Sequence, residues 1–399
     1  LLIPTIINIK YNRWKIDRFF TFFLLFVVIQ LFFASFLNNS AITNHKIYSL
    51  IFFILISISV YFNHFEIRKS LSKIIFIFLI IFLLSTFYSL IFFKNDFPFF
   101  CGGIPNYFNI DMSKIYPLSY APERDFDYNV TFKHILFIEN SHLGMVAPGL
   151  ILFSIYKIYM DKRNYIHIIL TTFLIIICLF KSSTTFYVGI IVSTGILILF
   201  EYKRLPNKLK IFYVFFSIIM VIIIFTDKEC KTRFIPSYNN EQIINQKTTD
   251  IVSEILNADA NKIKSGSLSS AVYFNALKIT KNALTKNFTG WGFNSYNDAF
   301  DSYILDNNLK NSYIEGYNKK DGVNNLNKIL VEFGFFSLII LWLIFKYTIN
   351  KDVDLDQKLF FLPLIITQLI RGAGYFNGGF ILVLLIMYFS ISSRKHFNL

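Results

Sequence analysis

Long apolar segments recur along this 399-residue chain and constrain its fold more than any other feature. Runs near 18–20 residues have the length that crosses a bilayer core of about 30 Å. Only 16% of the residues are charged, whereas a soluble domain carries about a quarter. The sequence therefore predicts an all-α polytopic membrane protein with about 10 transmembrane helices. The predicted spans cover residues 19–37, 47–62, 74–93, 135–156, 166–180, 186–200, 211–225, 328–345, 359–370 and 380–392.

The net charge of +14 is unevenly distributed over the predicted topology. With the N-terminus inside, the inner segments hold 19 Lys and Arg against 7 Asp and Glu, and the outer segments hold 20 against 18. Thus 12 of the 14 net positive charges lie on one side, as the positive-inside rule requires. The basic composition predicts a topology with both termini cytoplasmic, and it is not the footprint of a nucleic-acid-binding protein.

Two long outer segments interrupt the predicted spans. The first, 94–134, belongs to an N-terminal transmembrane bundle (1–225), and the second is a large periplasmic loop (226–327) that precedes C-terminal transmembrane helices (328–399). Loops longer than about 15 residues are usually functional or disordered. Helical spacing of apolar residues over 269–286 predicts that the large loop has structure of its own. The stretch 288–300 follows as a turn broken by glycines that leads into a second predicted helix.

Polar stretches lie at the predicted outer ends of spans, where charged groups are functional candidates by default. Glu139 and His142 are three residues apart and would share a helix face. A carboxylate and an imidazole at one rim suit a general base acting on an acceptor hydroxyl. The alternative is a helix start, with Asn140 or Ser141 as the cap and a kink at Pro148.

A second stretch places Lys181 beside Ser and Thr hydroxyls in a short outer hairpin. A cation and several donors near a helix N-terminus indicate a phosphate site. The alternative is a lysine that extends to the membrane interface beside capping hydroxyls. Arg124, in the segment 94–134, is a further candidate cation.

A third stretch lies where the large loop returns to the membrane. Asn324 and Asn325 precede an apolar run, and Glu332 lies about two turns inside it. Helix capping explains one asparagine, but it does not explain a carboxylate within a span. These three residues are therefore predicted to bind substrate.

The fourth stretch, "LIRGAGYFNGGFIL" (369–382), connects two apolar segments. Arg371 is predicted at the outer rim, where a guanidinium makes bidentate contacts with phosphate that lysine does not copy. The neighbouring glycines let the backbone approach a ligand closely, and Tyr375 is predicted to line the same surface. The alternative is a tight turn with an arginine extended to the interface. Together the four stretches predict an outward-facing pocket for a lipid-linked pyrophosphate.

Four motifs, in this order along the chain, resemble the O-antigen polymerase and O-antigen ligase superfamily of bacterial membrane glycosyltransferases. They are "IENSHLGMVAPG" (138–149), "GWGFNSY" (290–296), "NNLNKILVEFGFFSL" (324–338) and "RGAGYFNGGF" (371–380). The resemblance covers about residues 74–390. It implies an undecaprenyl-pyrophosphate-linked glycan donor, no metal or other cofactor, and periplasmic arginines that hold the pyrophosphate.

The chain departs from the family pattern at three places. The region 323–334 lacks the histidine of the His-Asn pair found in ligases, which favours the polymerase. The Arg-x10-Gly pattern of some polymerases is absent after Arg124, Arg233 and Arg371. Serines at 269–270 stand where an arginine is expected at the start of the loop helix.

The resulting hypothesis is a bacterial inner-membrane enzyme that polymerises lipid-linked oligosaccharide repeat units at the periplasmic face. Glu139 or His142 would deprotonate the acceptor hydroxyl. Arg371, with Lys181 and Arg124, would stabilise the departing undecaprenyl pyrophosphate. Donor and acceptor glycans and the lipid bilayer are the expected partners, together with a chain-length regulator and a flippase.

Three alternatives remain open. An O-antigen ligase would carry out the same chemistry on an acceptor such as lipid A-core. A flippase or transporter for the same glycans would carry charges deep in several spans and paired repeats, neither of which the sequence shows. A metal-dependent enzyme for lipid monophosphate sugars would use the carboxylates of "RDFD" (124–127).

Overall fold

All regular secondary structure in the described part of the chain is helical. The computed structural model describes residues 18–38, 42–92, 140–160, 165–180, 184–226, 268–307, 319, 322–372, 374–377 and 379–392. In chain order the helices are α1 (Arg18–Leu37), α2 (Asn44–Phe92), α3 (Asn140–Met160), α4 (Tyr165–Phe180), α5 (Thr184–Glu201), α6 (Asn207–Thr226), α7 (Leu268–Lys286), α8 (Tyr296–Asp306), α9 (Asn325–Phe333), α10 (Ser337–Ile349), α11 (Leu355–Ile370), α12 (Gly374–Asn377) and α13 (Phe380–Ser392). A 3-10 turn, Gly334–Phe336, joins α9 to α10.

Within the described ranges, six helical segments are long and apolar enough to cross a membrane. They are Phe20–Leu37, Asn44–His64, Lys69–Phe87, His142–Met160, Asn207–Ile224 and Asn325–Ile349. Many of their large apolar side chains are exposed, including Phe36 (80%) and Ile211 (71%). Exposed apolar surface on this scale fits helices that face lipid. The fold is that of a helical, multi-pass membrane protein, and the number of ten spans stays a prediction.

The predicted turn between spans two and three is wrong. The structure has one continuous 49-residue helix, α2, where the sequence predicts two spans joined by a basic loop at 68–73. No Gly or Pro lies between His64 and Lys73, so nothing in the local sequence ends the helix. At 1.5 Å per residue α2 is about 74 Å long, more than twice the thickness of a bilayer core.

Two compact units divide the chain. Unit 1 comprises Leu1–Lys69, Ile235–Asn350 and Gly372–Leu399, and unit 2 comprises Ser70–Phe234 and Lys351–Arg371. Residues 268–307, 319 and 322–327 of the predicted loop therefore fall in unit 1 with α9 and α10. The predicted division of the chain into 1–225, 226–327 and 328–399 stays a prediction.

Helices α3, α5 and α11 pack closely in unit 2. A Cβ on Gly149 of α3 would come within 2.5 Å of the Phe360 carbonyl oxygen of α11. A Cβ on Gly189 of α5 would come within 2.2 Å of Thr367 Cγ2. Glycine at these two positions allows the helices to approach more closely than any other residue would permit.

In unit 1, the segment 288–295 runs along the end of α9. Trp291 N–H donates to the Val331 carbonyl (3.0 Å), and Gly292 N–H donates to the Glu332 carbonyl (2.9 Å). On the other side, Phe335 N–H donates to Phe288 O (2.9 Å). These hydrogen bonds attach the segment to α9 through the backbone.

The predicted helices of the large loop are confirmed. Helix α7 covers the predicted 269–286, and α8 follows the glycine-containing segment 288–295. The buried face of α7 is formed mainly by small residues, such as Ala276 and Ala283, together with Ile279. Its larger apolar residues at 274, 277 and 284 are only partly buried.

Candidate functional site

Two of the predicted site residues, His142 and Arg371, lie at the same end of unit 2. Thr367 Oγ1 of α11 donates a hydrogen bond to the Met145 carbonyl of α3 over 2.7 Å. Gly149 of α3 lies against Phe360 of α11, so residue numbers rise along one helix as they fall along the other. His142 precedes Met145 by one turn, and Arg371 follows Thr367 by one turn, so the antiparallel packing brings both to one end, where both are partly exposed.

The N-terminus of α5 lies at this end as well. Gly189 of α5 contacts Thr367, and Glu201 at the other end of α5 pairs with Lys358 near the start of α11. The α5 helix is therefore also antiparallel to α11. Two helix N-termini, those of α3 and α5, thus surround the C-terminal end of α11. Helix N-termini carry partial positive charge and exposed N–H groups, so together with a guanidinium they favour an anion.

The backbone at Arg371 ends α11. Its φ of −142° and ψ of 107° are extended, and its N–H donates to the Thr367 carbonyl over 2.8 Å. The next residue, Gly372, belongs to unit 1, and its N–H donates to the Val323 carbonyl over 3.0 Å. A Cβ on Gly372 would lie 2.6 Å from Asn325 Oδ1. The space beside this glycine, predicted for a ligand, is therefore taken by Asn325.

Three other predicted site residues, Glu139, Lys181 and Arg124, lie outside the described residues. Their roles as base and as phosphate-binding cations stay predictions. The segment 94–134 lies outside the described part of the chain in the same way.

Unit 1 contains a buried polar network centred on Glu332. The Glu332 side chain is fully buried, and its Oε2 accepts a hydrogen bond from the Asn294 N–H over 2.8 Å. Its Oε1 accepts from the Tyr296 N–H over 3.2 Å and lies 3.2 Å from Lys328 Nζ. Two backbone donors and one ammonium therefore satisfy a carboxylate that would be costly to bury alone. Glu332 fastens the segment before α8 to α9.

Lys328 connects this carboxylate to two further groups. Its side chain is buried, and Nζ donates to Asn294 Oδ1 over 3.4 Å. Nζ also lies 5.1 Å from the centroid of the Tyr375 ring, within the range of a cation–π contact. The Tyr375 ring also stacks on Phe293, with centroids 5.6 Å apart, and on Phe380, with centroids 6.2 Å apart.

The network continues to the surface through α2. Asn294 Nδ2 lies 3.0 Å from His45 Nδ1 and donates to Ser49 Oγ over 2.9 Å. His45 is exposed, so the chain of contacts joins the buried Glu332 to the outside of unit 1. On α1, Gln30 Nε2 donates to the carbonyls of Thr289 (2.8 Å) and Glu332 (3.4 Å).

Four predicted substrate-binding residues belong to unit 1, and all of them are buried: Asn324, Asn325, Glu332 and Tyr375. The segments that contain them contact one another. Asn324 is the N-cap of α9, and its Oδ1 accepts from the Asn327 N–H over 2.7 Å. Asn325 packs against Gly372, and Glu332 and Tyr375 belong to the Lys328 network. The structure thus brings all four together, in positions that hold backbone segments in place.

Two tyrosines beside Glu332 keep their protons. Burial raises the pKa of Tyr296, and the nearby Glu332 carboxylate raises it further. The same two causes raise the pKa of Tyr375 well above its ordinary value. Both phenols are therefore neutral at neutral pH.

The opposite end of unit 2 contains a separate charge cluster. The buried Glu201 carboxylate at the end of α5 lies 2.5 Å from Lys358 Nζ and 3.2 Å from Arg204 Nη1. Arg204 also donates to the Val353 carbonyl over 2.9 Å. This cluster fastens α5 to the start of α11 and lies at the far end of α11 from Arg371.

Sequence reasoning missed Lys328, Asn294 and His45. Lys328 and Glu332 are four residues apart on one helix, a spacing that marks ion pairs and would have identified the first of them. Asn294 and His45 are separated by 249 residues, and no local pattern joins them.

Among the described residues, no group of three or more His, Cys, Asp or Glu is placed to hold a metal ion. The chain matches no protein-family model, no curated protein sequence and no solved structure.

Proposed function

We propose that this protein is a membrane glycosyltransferase that polymerises undecaprenyl-pyrophosphate-linked oligosaccharide repeat units at the periplasmic face of a bacterial inner membrane. The observation that carries the proposal is that His142 and Arg371 lie at the same end of unit 2. A group that accepts a proton and a group that binds phosphate are the two parts that this transfer needs.

A second observation supports the resemblance to the polymerase family. Three of the four motifs that carry it contact one another through residues of unit 1. They are 290–296, 324–338 and the part of 371–380 that follows Arg371. Gly292 N–H donates to Glu332 O, and Gly372 N–H donates to Val323 O, one residue before the second motif. Motifs far apart in the chain thus form one structural element.

In the proposed reaction, His142 or Glu139 takes the proton of an acceptor sugar hydroxyl. The oxygen then forms a bond to the anomeric carbon of the donor, while the bond from that carbon to the pyrophosphate oxygen breaks. The electron pair leaves with undecaprenyl pyrophosphate, whose charge Arg371 stabilises with the N-termini of α3 and α5. Lys181 and Arg124 are the further cations proposed for this role.

The buried network of unit 1 has a positioning role in this proposal. Glu332 and Asn324 are engaged with backbone N–H groups, which leaves them suited to hold the segment before α8 and the start of α9. Side chains that are locked in this way by packing and hydrogen bonds keep the motif segments of unit 1 in a fixed geometry.

The test is chain extension by purified full-length protein in proteoliposomes supplied with lipid-linked repeat units. We expect a ladder of longer products on a gel, and loss of the ladder on Arg371→Ala. Lys203→Ala, which removes an exposed cation after α5, should leave the ladder unchanged.

A deletion strain separates the alternatives. Surface glycans with a single repeat indicate a polymerase, whereas lipid A-core without any repeat indicates a ligase. Accumulation of lipid-linked repeats on the cytoplasmic side, with no extension in proteoliposomes, would contradict the enzyme and indicate a flippase.

A further inference from the structure

Asn294 connects the buried network to the surface histidine. A lysine ammonium has donors only, so the atom of Asn294 that faces Lys328 Nζ must be the amide oxygen. The NH₂ group then faces α2, where it donates to Ser49 Oγ and to His45 Nδ1. The orientation of the amide is thus set by Lys328, which Glu332 holds in place.

This orientation determines the tautomer of His45. Because Asn294 Nδ2 is a donor, His45 Nδ1 must accept, and the neutral imidazole carries its proton on Nε2. The His45 side chain is exposed, so this Nε2–H is available to an external acceptor atom.

We propose that His45 is a binding residue that donates its Nε2–H to an oxygen of the glycan substrate. The inference rests on the proposed function for the identity of the ligand, whereas the tautomer follows from the network alone. His45, in unit 1, is thus assigned to sugar binding.

The surroundings of His45 favour a neutral glycan over a phosphate. The adjacent cation, Lys46, is buried and lies 2.5 Å from Asp298 Oδ2, so it is neutralised. The Asp298 carboxylate of this pair is partly exposed, and the pair as a whole has no net charge to attract a phosphate. Tyr48, 69% exposed, lies one turn along α2 and offers an aromatic surface with a polar end. A donor, a carboxylate and an aromatic ring suit hydroxyl-rich sugars.

The tautomer is measured by ¹⁵N chemical shifts of histidine-labelled full-length protein. His64 is an internal control with the opposite state, because its Nδ1 lies 2.6 Å from the Tyr61 carbonyl oxygen, which accepts only. We expect Nε2–H for His45 and Nδ1–H for His64. In Asn294→Asp, a carboxylate oxygen faces His45, and its Nδ1 should become protonated. Nδ1–H on wild-type His45, or no change in the variant, would overturn the inference.

Binding is measured on the same protein with two probes, the repeat oligosaccharide released from lipid-linked intermediates, and inorganic pyrophosphate. The oligosaccharide should shift the His45 resonances and leave those of His64 in place. Pyrophosphate should leave both in place. A shift of His45 with pyrophosphate, or with neither probe, would contradict glycan binding at this residue.

Two matched variants test the donor. In His45→Asn, the amide reaches the Nδ1 position and keeps the contact with Asn294 but loses the Nε2 donor. In His45→Gln, the amide reaches the Nε2 position and keeps the donor. Oligosaccharide affinity should fall about 3- to 10-fold in the asparagine variant, the effect of one neutral hydrogen bond, and less in the glutamine variant. Equal losses would overturn the inference.

The inference and the proposed function fail separately, because these measurements involve no turnover. If the oligosaccharide binds through His45 but no chain extension occurs, the polymerase proposal is contradicted and the proposed glycan site stands. If chain extension occurs but His45→Asn binds the oligosaccharide as the wild type does, the glycan site is contradicted and the polymerase proposal stands.

Discussion

Lys328 Nζ lies 3.2 Å from Glu332 Oε1, with both side chains buried one turn apart on α9. This pair joins three segments that are distant in the chain. Glu332 accepts from the backbone of the segment before α8, and Lys328 contacts Asn294 and the Tyr375 ring.

Breaking this pair should strongly destabilise unit 1. Glu332→Gln and Lys328→Met each leave an uncompensated buried charge, and each should cost about 3–5 kcal/mol of unfolding free energy. The double variant should lose less than the sum. Thermal unfolding and the folded yield of purified protein measure this. Lys286→Met, at an exposed pair with Asp306, is the control and should cost about 0–1 kcal/mol. Equal effects at the two pairs would contradict the role of burial.

Gly290 and Gly334 should tolerate no side chain. Both have positive φ, +97° and +53°, and a Cβ would lie 2.4 Å from Glu332 O in one case and 2.2 Å from Phe288 O in the other. Alanine at either position must separate two backbones that hydrogen-bond to each other, so folded yield should fall sharply. Gly195→Ala in α5, where nothing lies within 4 Å of the added Cβ, should be neutral or stabilise by up to about 1 kcal/mol. Wild-type stability of Gly334→Ala would show that the loop does not pack on α9 as described.

Arg371→Ala should nearly abolish chain extension. The leaving pyrophosphate gains charge in the transition state, and losing one preorganised partner typically costs about 3–4 kcal/mol, or roughly 10²–10³ in rate. Arg371→Lys keeps the charge but not the bidentate geometry, so it should remain substantially impaired. Rates are measured in proteoliposomes at matched protein abundance. A wild-type rate for Arg371→Ala would make this arginine an anchor at the membrane surface.

The proposed base is tested at His142 and Glu139. His142→Ala and Glu139→Gln should each lower the rate by about 10²–10⁴ if the pair acts on the acceptor hydroxyl, without altering membrane abundance. His167→Ala serves as a control, because this histidine is buried in α4. If both variants give wild-type product ladders, the pair only forms the start of the helix, and another carboxylate must be the base.

The topology is tested by alkaline phosphatase fusions. The charge distribution predicts that 226–327 is periplasmic, so a fusion after Asn261 should be active and one near Lys208 inactive. This requires the chain to reverse direction between the two apolar segments of α2, Asn44–His64 and Lys69–Phe87, whereas the structure has one continuous helix there. If α2 crosses only once, the count changes by one span and the activities are reversed. Reversed activities would place the proposed site in the cytoplasm and contradict the mechanism.

Several features follow from local sequence alone. Apolar runs near bilayer length establish a helical membrane protein, because lipid provides no partners for backbone N–H and C=O groups. The helices at Leu268–Lys286 and Tyr296–Asp306 follow from spacing and from the glycines between them. Arg371 comes at the end of a helix because the apolar run stops there. Each of these depends on interactions within about one helical turn, which a sequence pattern records.

Other features were decided only by tertiary packing. The continuous α2 arises where the sequence suggests a turn, since a charged stretch without Gly or Pro remains helical. His142 and Arg371 lie at the same end of unit 2 because Gly149 and Gly189 let three helices pack closely in an antiparallel arrangement. The tautomer of His45 depends on an amide 249 residues away, oriented by Lys328. These relationships join residues across the fold through single hydrogen bonds and close contacts, and no spacing in the sequence encodes such partners.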